Sequence, residues 1–187
     1  MLMNIVLVVI VVIVALLVYA ATRPDDFRVQ RTTRIKAPAD RIYPNIADFH
    51  KWAMWSPYDK LDPTMKKTMS GAPFGKGAVY QWSGNSKAGS GRMEIVEANE
   101  PAKVGIKLDF EKPFRANNLT EFTLKPAGDT TDVTWTMTGT SPLVMKMMGV
   151  FMNMDNLIGK DFVTGLESLK AIAEQDDRVL IPDSLGG

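Results

Sequence analysis

Residues 103–112, KVGIKLDFEK, alternate without a break. Val104, Ile106, Leu108 and Phe110 fall on one side of an extended chain, and Lys103, Lys107, Asp109 and Glu111 fall on the other. Successive side chains of a strand point to opposite faces, so the pattern predicts a strand with one face buried and one in water. A helix built from the same residues would scatter the apolar groups around its circumference.

The same period of two runs through the flanking sequence. In 132–140, DVTWTMTGT, Val133, Trp135 and Met137 oppose Asp132, Thr134, Thr136 and Thr138. In 91–98, GRMEIVEA, Met93 and Ile95 oppose Arg92 and Glu94. In 118–126, NLTEFTLKP, Phe122 and Leu124 oppose Glu121 and Lys125. Tyr80 and Trp82 share a phase in 78–84, AVYQWSG, and 64–70, TMKKTMS, completes six candidate strands. Turn-forming residues separate them, at Gly71-Ala72-Pro73, Gly84-Asn85, Glu100-Pro101, Lys112-Pro113 and Pro126–Asp129. Spacings this short join antiparallel neighbours.

Upstream, 27–38 reads as a further strand ended by Pro38. Residues 39–55 read as two short helices, with Asp40 capping the first and Pro44 shortening or bending it. Downstream, 142–175 places Met147, Phe151, Met154, Ile158, Phe162, Leu166, Leu169 and Ile172 on one helical stripe. Gly149, Gly159 and Gly165 each weaken that helix by about 1 kcal/mol relative to alanine, and a break is expected near Met152. The element order predicts an α+β domain in which the last helix covers the apolar face of a curved antiparallel sheet.

From Ile5 to Ala21 the chain is uninterrupted apolar sequence. About 20 helical residues match a hydrocarbon core of about 30 Å. No basic residue precedes the run, and it exceeds the usual apolar core of a signal peptide, so it reads as an uncleaved anchor. Arg23, Arg28, Arg31 and Arg34 follow it, which places the globular part on the cytoplasmic side of a single-pass membrane protein. The division read from sequence is 1–22 transmembrane anchor, 23–26 linker, 27–175 globular domain and 176–187 flexible tail.

The composition narrows the chemistry. Twenty-two basic and 21 acidic residues nearly cancel, and no basic run marks a nucleic-acid footprint. The absence of cysteine removes thiol nucleophiles and disulfides, and a single histidine precludes a multi-histidine metal site within one chain. The pattern calls for no cofactor.

The inner face offers a candidate ligand wall. Trp52 and Trp55 lie three apart and share a helix face. The strands contribute Tyr80, Trp82, Met93, Ile106, Leu108, Phe110, Phe122, Trp135 and Met137, and the last helix contributes Phe151, Met154 and Ile158. Glu94, Asp109 and Glu121 all fall outside, so no catalytic residue is assigned. The inside offers Tyr80, indole N–H groups, Asn118 and Thr120, but no paired acid and base. His50 lies near Asp48 and Ser56 in sequence, but residues two apart do not face each other on a helix, so it reads as a surface histidine. The methionines Met145, Met147, Met148, Met152 and Met154 suit either a core or an adaptable ligand surface. Gly75, Gly77, Gly89 and Gly91 read as turns or bulges.

The segments RTTRIKAPADRIYPNIADFHKWAMWSPY, GKGAVYQWSGN, GSGRMEIVEANEPAKVGIKLDFEKPF, TEFTLKPAGDTTDVTWTMTG and MMGVFMNMDNLIGKDFVTGLESLKA together resemble the START-like (SRPBCC) superfamily, in its polyketide cyclase/dehydrase-like branch. The resemblance covers about residues 27–174. It implies a helix-grip fold, a seven-stranded antiparallel sheet wrapped around a long C-terminal helix with a hydrophobic cavity between them. Members of the superfamily include lipid carriers, hormone receptors, aromatase/cyclases and chaperone cofactors, and fold alone does not choose among them. Three readings follow. The chain is a membrane-anchored binding or carrier domain for a hydrophobic small molecule or lipid, a protein-interaction or chaperone-like module, or a cyclase/dehydratase-type enzyme with Tyr80 as its acid.

Overall fold

The computed structural model describes residues 2–22, 26–140, 146 and 154–179. Helix α1 spans Leu2–Ala21, and strand β1 spans Asp26–Ile35. Helix α2 (Ala39–Ala47) is followed by a 3-10 turn, Phe49–Lys51, that runs into the short α3 (Trp52–Trp55). A second 3-10 turn covers Tyr58–Lys60. Six strands follow: β2 (Lys66–Gly71), β3 (Ala78–Ser83), β4 (Ser90–Asn99), β5 (Lys103–Lys112), β6 (Ala116–Ala127) and β7 (Thr130–Thr140). Helix α4 spans Met154–Val179.

The seven strands form one antiparallel sheet in the order β1-β7-β6-β5-β4-β3-β2. Each inward residue pairs with an inward residue. Tyr80 lies opposite Met93, Met93 opposite Leu108, Val104 opposite Phe122, and Phe122 opposite Trp135. A slip of one residue would turn every one of these outward, so the apolar pattern itself holds the register. Irregularities at Ser90/Gly91 and Ile95/Glu97 interrupt the β4–β5 ladder, and bulges of this kind add curvature.

Helix α4 lies across the inner face with Phe162, Leu166, Leu169 and Ala173 buried. The Phe162 ring stacks on Trp135 at 4.1 Å between centroids and 6° between planes. Gly165 makes this approach possible: a Cβ there would sit 2.8 Å from Trp135 Cζ3 and 3.1 Å from Pro57 Cδ. Gly159 has a parallel role, since the Arg31 guanidinium occupies the space its side chain would fill. Arg31 donates to both the carboxylate and the carbonyl of Asp155, and Lys170 Nζ donates to the Arg34 carbonyl at 2.7 Å. Two charged contacts thus fasten the helix along β1. The glycines that weaken α4 as a helix allow it to dock.

Several boundaries differ from the sequence reading. Strand β1 begins at Asp26, inside the expected linker, and α4 continues to Val179, into the expected tail. Asp40 does not cap α2. Pro38 holds the N-cap position with no side-chain bond, and Asp40 sits in the first turn, where its carboxylate accepts from the Arg41 N–H. The proline ring fixes the extended φ that the cap needs. Pro44 lies inside α2, which stops three residues later. The expected break near Met152 lies outside the described residues.

Replacing Gly165 by alanine tests the docking argument. An exposed helix position would gain about 1 kcal/mol from this change. Here overpacking against Trp135 outweighs the gain, and urea denaturation will show a net loss of about 1–2 kcal/mol. An increase in stability would mean that Trp135 is free to move.

Candidate functional site

The site is built on an aromatic wall. Trp55 is fully buried, with ring contacts to Phe122 at 5.9 Å and to Trp135 at 5.7 Å. Its Nε1 donates to the Asn45 carbonyl at 2.9 Å, and Trp52 Nε1 donates to the Ile46 carbonyl at 2.9 Å. Asn45 and Ile46 lie in the last turn of α2, where carbonyls have no partner within the helix. The two indoles therefore close the end of α2 and tie α3 to it.

A cavity of about 380 Å³ lies between the sheet, the 56–65 segment and the start of α4. Nine of the sequence-derived candidates line it: Trp52, Tyr80, Trp82, Met93, Leu108, Phe110, Trp135, Met137 and Ile158. Three others, Trp55, Ile106 and Phe122, are wholly buried behind that wall. They share the inward phase, but they are packed into the core rather than facing the cavity. Phase separates inside from outside, and it does not say how far along the sheet the covering helices reach. Phe151 and the side chain of Met154 lie outside the described residues, as do Met145, Met147, Met148 and Met152.

The structure adds wall residues that carried little sequence signal. Phe27, Ser56, Tyr58, Asp59, Leu61 and Met65 line the cavity, and so do Lys87, Lys112, Phe114 and Asp161. Asp59 stands in the 3-10 turn after Pro57, a stretch without periodicity. Its side chain is 6% exposed. It accepts from the Tyr80 hydroxyl at 2.8 Å and from Lys67 Nζ at 2.8 Å. Burial, reinforced by the Asp59 carboxylate, holds the Tyr80 phenol well above its ordinary range. Burial likewise raises Tyr58, with a smaller contribution from Asp161. Asp161 lies one turn beyond Ile158 and so on the same face of α4, a spacing that could have identified it. Burial raises the Asp161 carboxyl above the usual carboxylate range.

The indole of Trp82 is placed by Gly91, which lies opposite it on β4 and has no side chain to meet the ring. Trp82 Nε1 donates to the Ala88 carbonyl at 3.0 Å. Of the four tryptophans, only Trp135 has an N–H without a protein acceptor. Ser56 Oγ, Asn118 Oδ1 and Thr120 Oγ1 are buried and unpaired as well. All four residues belong to the cavity wall. Each such group costs about 1–3 kcal/mol when nothing answers it.

The remaining sequence candidates lie elsewhere. His50 is exposed, with Nδ1 at 2.8 Å from Asp48 Oδ1. The two do meet, contrary to the helical expectation. Asp48 is in extended conformation at the head of the 3-10 turn, where its side chain also accepts from the His50 N–H. Glu94, Asp109 and Glu121 pair with Arg92, Lys107 and Lys103, their outward neighbours. Gly75, Gly77 and Gly89 have positive φ in strand connections, as turn glycines do. Among the described residues no group of His, Cys, Asp or Glu side chains is placed to hold a metal ion.

A family model described as polyketide cyclase/dehydrase and lipid transport matches residues 26–174. No curated protein is detectably similar to the chain. Among solved structures, protein CV1439 from Chromobacterium violaceum is 16% identical with a TM-score of 0.57, over 81% of this chain and 99% of that one. An uncharacterised protein from Bacillus thuringiensis is 18% identical with a TM-score of 0.57, over 79% and 98%. Mll3558 from Rhizobium loti is 21% identical with a TM-score of 0.52, over 78% and 96%. At these identities the likeness is one of fold.

The raised Asp161 carboxyl fixes the sign of a pH effect. A carboxyl raised in the folded state binds its proton more readily there than in the unfolded chain. Its contribution to stability therefore falls as pH rises from the unfolded value to the folded one. Asp161→Asn removes that dependence. Urea midpoints followed through the weakly acidic range should show the difference, variant minus wild type, growing with pH and then levelling off. A difference that stays flat would mean that Asp161 is fully hydrated.

Proposed function

The chain belongs to the polyketide cyclase/dehydrase and lipid transport family, and from that premise we propose that it is a membrane-anchored binding or carrier domain that holds a hydrophobic small molecule or lipid between the sheet and α4. The observation that carries this reading is the cavity itself, about 380 Å³ and walled by Trp52, Trp82, Met93, Leu108, Phe110 and Met137. Its volume lies within the usual range for small-molecule sites, and so does its mixture of many apolar and few polar groups. A guest that buries about 200 Å² of apolar surface gains roughly 5 kcal/mol from leaving water. Met93 and Met137 add unbranched side chains that adapt to the shape of a guest.

The polar groups of the wall favour binding over chemistry. The Tyr80 hydroxyl already donates to Asp59 and is held above its ordinary range, which makes it a poor acid. Trp135, Asn118, Thr120 and Ser56 belong to the wall, but their unpaired polar atoms are buried within it, and they form no paired acid and base.

The segment read from sequence as the anchor forms α1. It is a 20-residue helix without a charged residue, with Ile5 through Val11 exposed along its length. Among the described residues no helix is long and apolar enough to cross a membrane. The anchor reading therefore comes from the sequence, where the run from Ile5 to Ala21 is unbroken apolar sequence and about 20 residues at 1.5 Å each span about 30 Å. In this reading the protein crosses the membrane once, with the globular domain on the cytoplasmic side by the placement of Arg23, Arg28, Arg31 and Arg34.

The test is to purify the full chain, extract it with organic solvent and identify what co-purifies by mass spectrometry. One apolar molecule per chain, reduced at least tenfold in Met93→Trp while the circular dichroism spectrum is unchanged, is the expected outcome. An empty wild-type protein that takes up no lipid or other apolar compound on incubation would sink the proposal.

A further inference from the structure

The strand register sorts the turns of the sheet by end. Asp26 pairs with Thr140, Phe110 with Ala116, Ser90 with Lys112, and Ser83 with both Ser90 and Lys66. The start of β1 is therefore at the same end of the sheet as the β5–β6 turn, the β3–β4 turn and the approach to β2. The cavity lies toward this end, since Phe27, Lys87, Lys112 and Phe114 belong to its wall. The β6–β7 turn, with Asp129, is at the opposite end.

The apolar helix is joined to this same end. Three residues, 23–25, separate Thr22 from Asp26, and four Cα steps reach at most about 14 Å. If α1 crosses a bilayer, the cavity end of the domain cannot leave the surface by more than that distance. Neighbouring strands are about 4.8 Å apart, so the β5–β6 turn stands only about 10–14 Å across the sheet from the start of β1.

That turn reads Lys112-Pro113-Phe114-Arg115. Phe114 is 51% exposed, and Leu61, across the cavity wall, is 44% exposed. An exposed aromatic tip flanked by two cations suits a lipid interface, where the ring enters the headgroup region and the cations meet anionic lipid. Lys87 in the adjacent turn adds a third cation, against the exposed acids Asp26 and Glu111 at this end.

We propose that the Lys112–Arg115 turn and Leu61 dock the cavity end of the domain on the anionic surface of the same bilayer that holds α1, so that the guest passes between cavity and bilayer without crossing water. This inference rests on the anchored-carrier reading. The protein then loads and unloads at its own membrane, and it is not a shuttle between membranes.

The chain has no cysteine, so single cysteines report cleanly. Val9→Cys, Leu61→Cys, Phe114→Cys and Asp129→Cys are each spin-labelled in the full chain, reconstituted into vesicles of equal parts phosphatidylglycerol and phosphatidylcholine. Relaxation by oxygen is compared with relaxation by a water-soluble nickel chelate. The expected result is oxygen dominance at 9, 61 and 114 and nickel dominance at 129, with the ratio at 114 falling severalfold in vesicles of phosphatidylcholine alone. Nickel dominance at 61 and 114 together with oxygen dominance at 9 overturns the docking and leaves the anchor standing. Nickel dominance at 9 as well overturns the anchor, and the docking with it.

Discussion

The contact between Trp135 and Phe162 sets the distance between the sheet and its covering helix. The two rings lie parallel at 4.1 Å, closer than the other aromatic pairs of the core. Such an approach needs a helix without a side chain at the point of contact, and Gly165 supplies it. Trp135 is also wedged by Trp55, Tyr58 and Phe122, so it cannot turn to find an acceptor for its N–H. The ring that closes the core thereby keeps a buried N–H without a protein acceptor.

The placement of the cavity follows from how the short helices are fastened. The tryptophans of α3 donate to the terminal carbonyls of α2, which locks the two helices into one plug. That plug buries Ile42, Ile46, Trp55 and Phe122 together, and it fills one end of the space between sheet and helix. At the other end the chain between Ser56 and Met65 forms only a 3-10 turn and irregular backbone, which contributes scattered side chains instead of a packed face. A cavity remains where the cover changes from helix to loop. Asp62 steadies this loop by accepting from Thr64 and from the Asn85 N–H of the β3–β4 turn.

Much of the fold was legible because the strands alternate so regularly. The inward sets around Val104, Met93, Phe122 and Trp135 were read from period two alone, and the seven strands appear where that period places them. The wall of the cavity was legible only in part. Phase identified Leu108, Phe110 and Met137, but it also selected Ile106 and Phe122, which the α2–α3 plug covers. Asp59 and Tyr58 were missed because a 3-10 turn after a proline has no repeating pattern to read. Asp161 was missed for a different reason. It is polar on an otherwise apolar stripe, and spacing arguments count such a residue as belonging to the far side. Boundaries such as the Pro38 cap depend on local backbone geometry rather than on periodicity, which explains why Asp40 was misplaced.

The two acids of the wall show why its polarity was hard to foresee and what it implies. Asp59 is nearly closed off, but Lys67 and Tyr80 answer its charge, so it costs little and stiffens the wall. Asp161 has no such partner among the described residues, and burial alone raises its carboxyl. A guest that placed an anionic group beside Asp161 would meet repulsion, whereas a neutral hydroxyl or amide would meet an acceptor. The unpaired polar atoms of Trp135, Asn118, Thr120 and Ser56 are closed off within the wall itself. Lys87 and Lys112 belong to the same wall, so its charge is mixed rather than acidic.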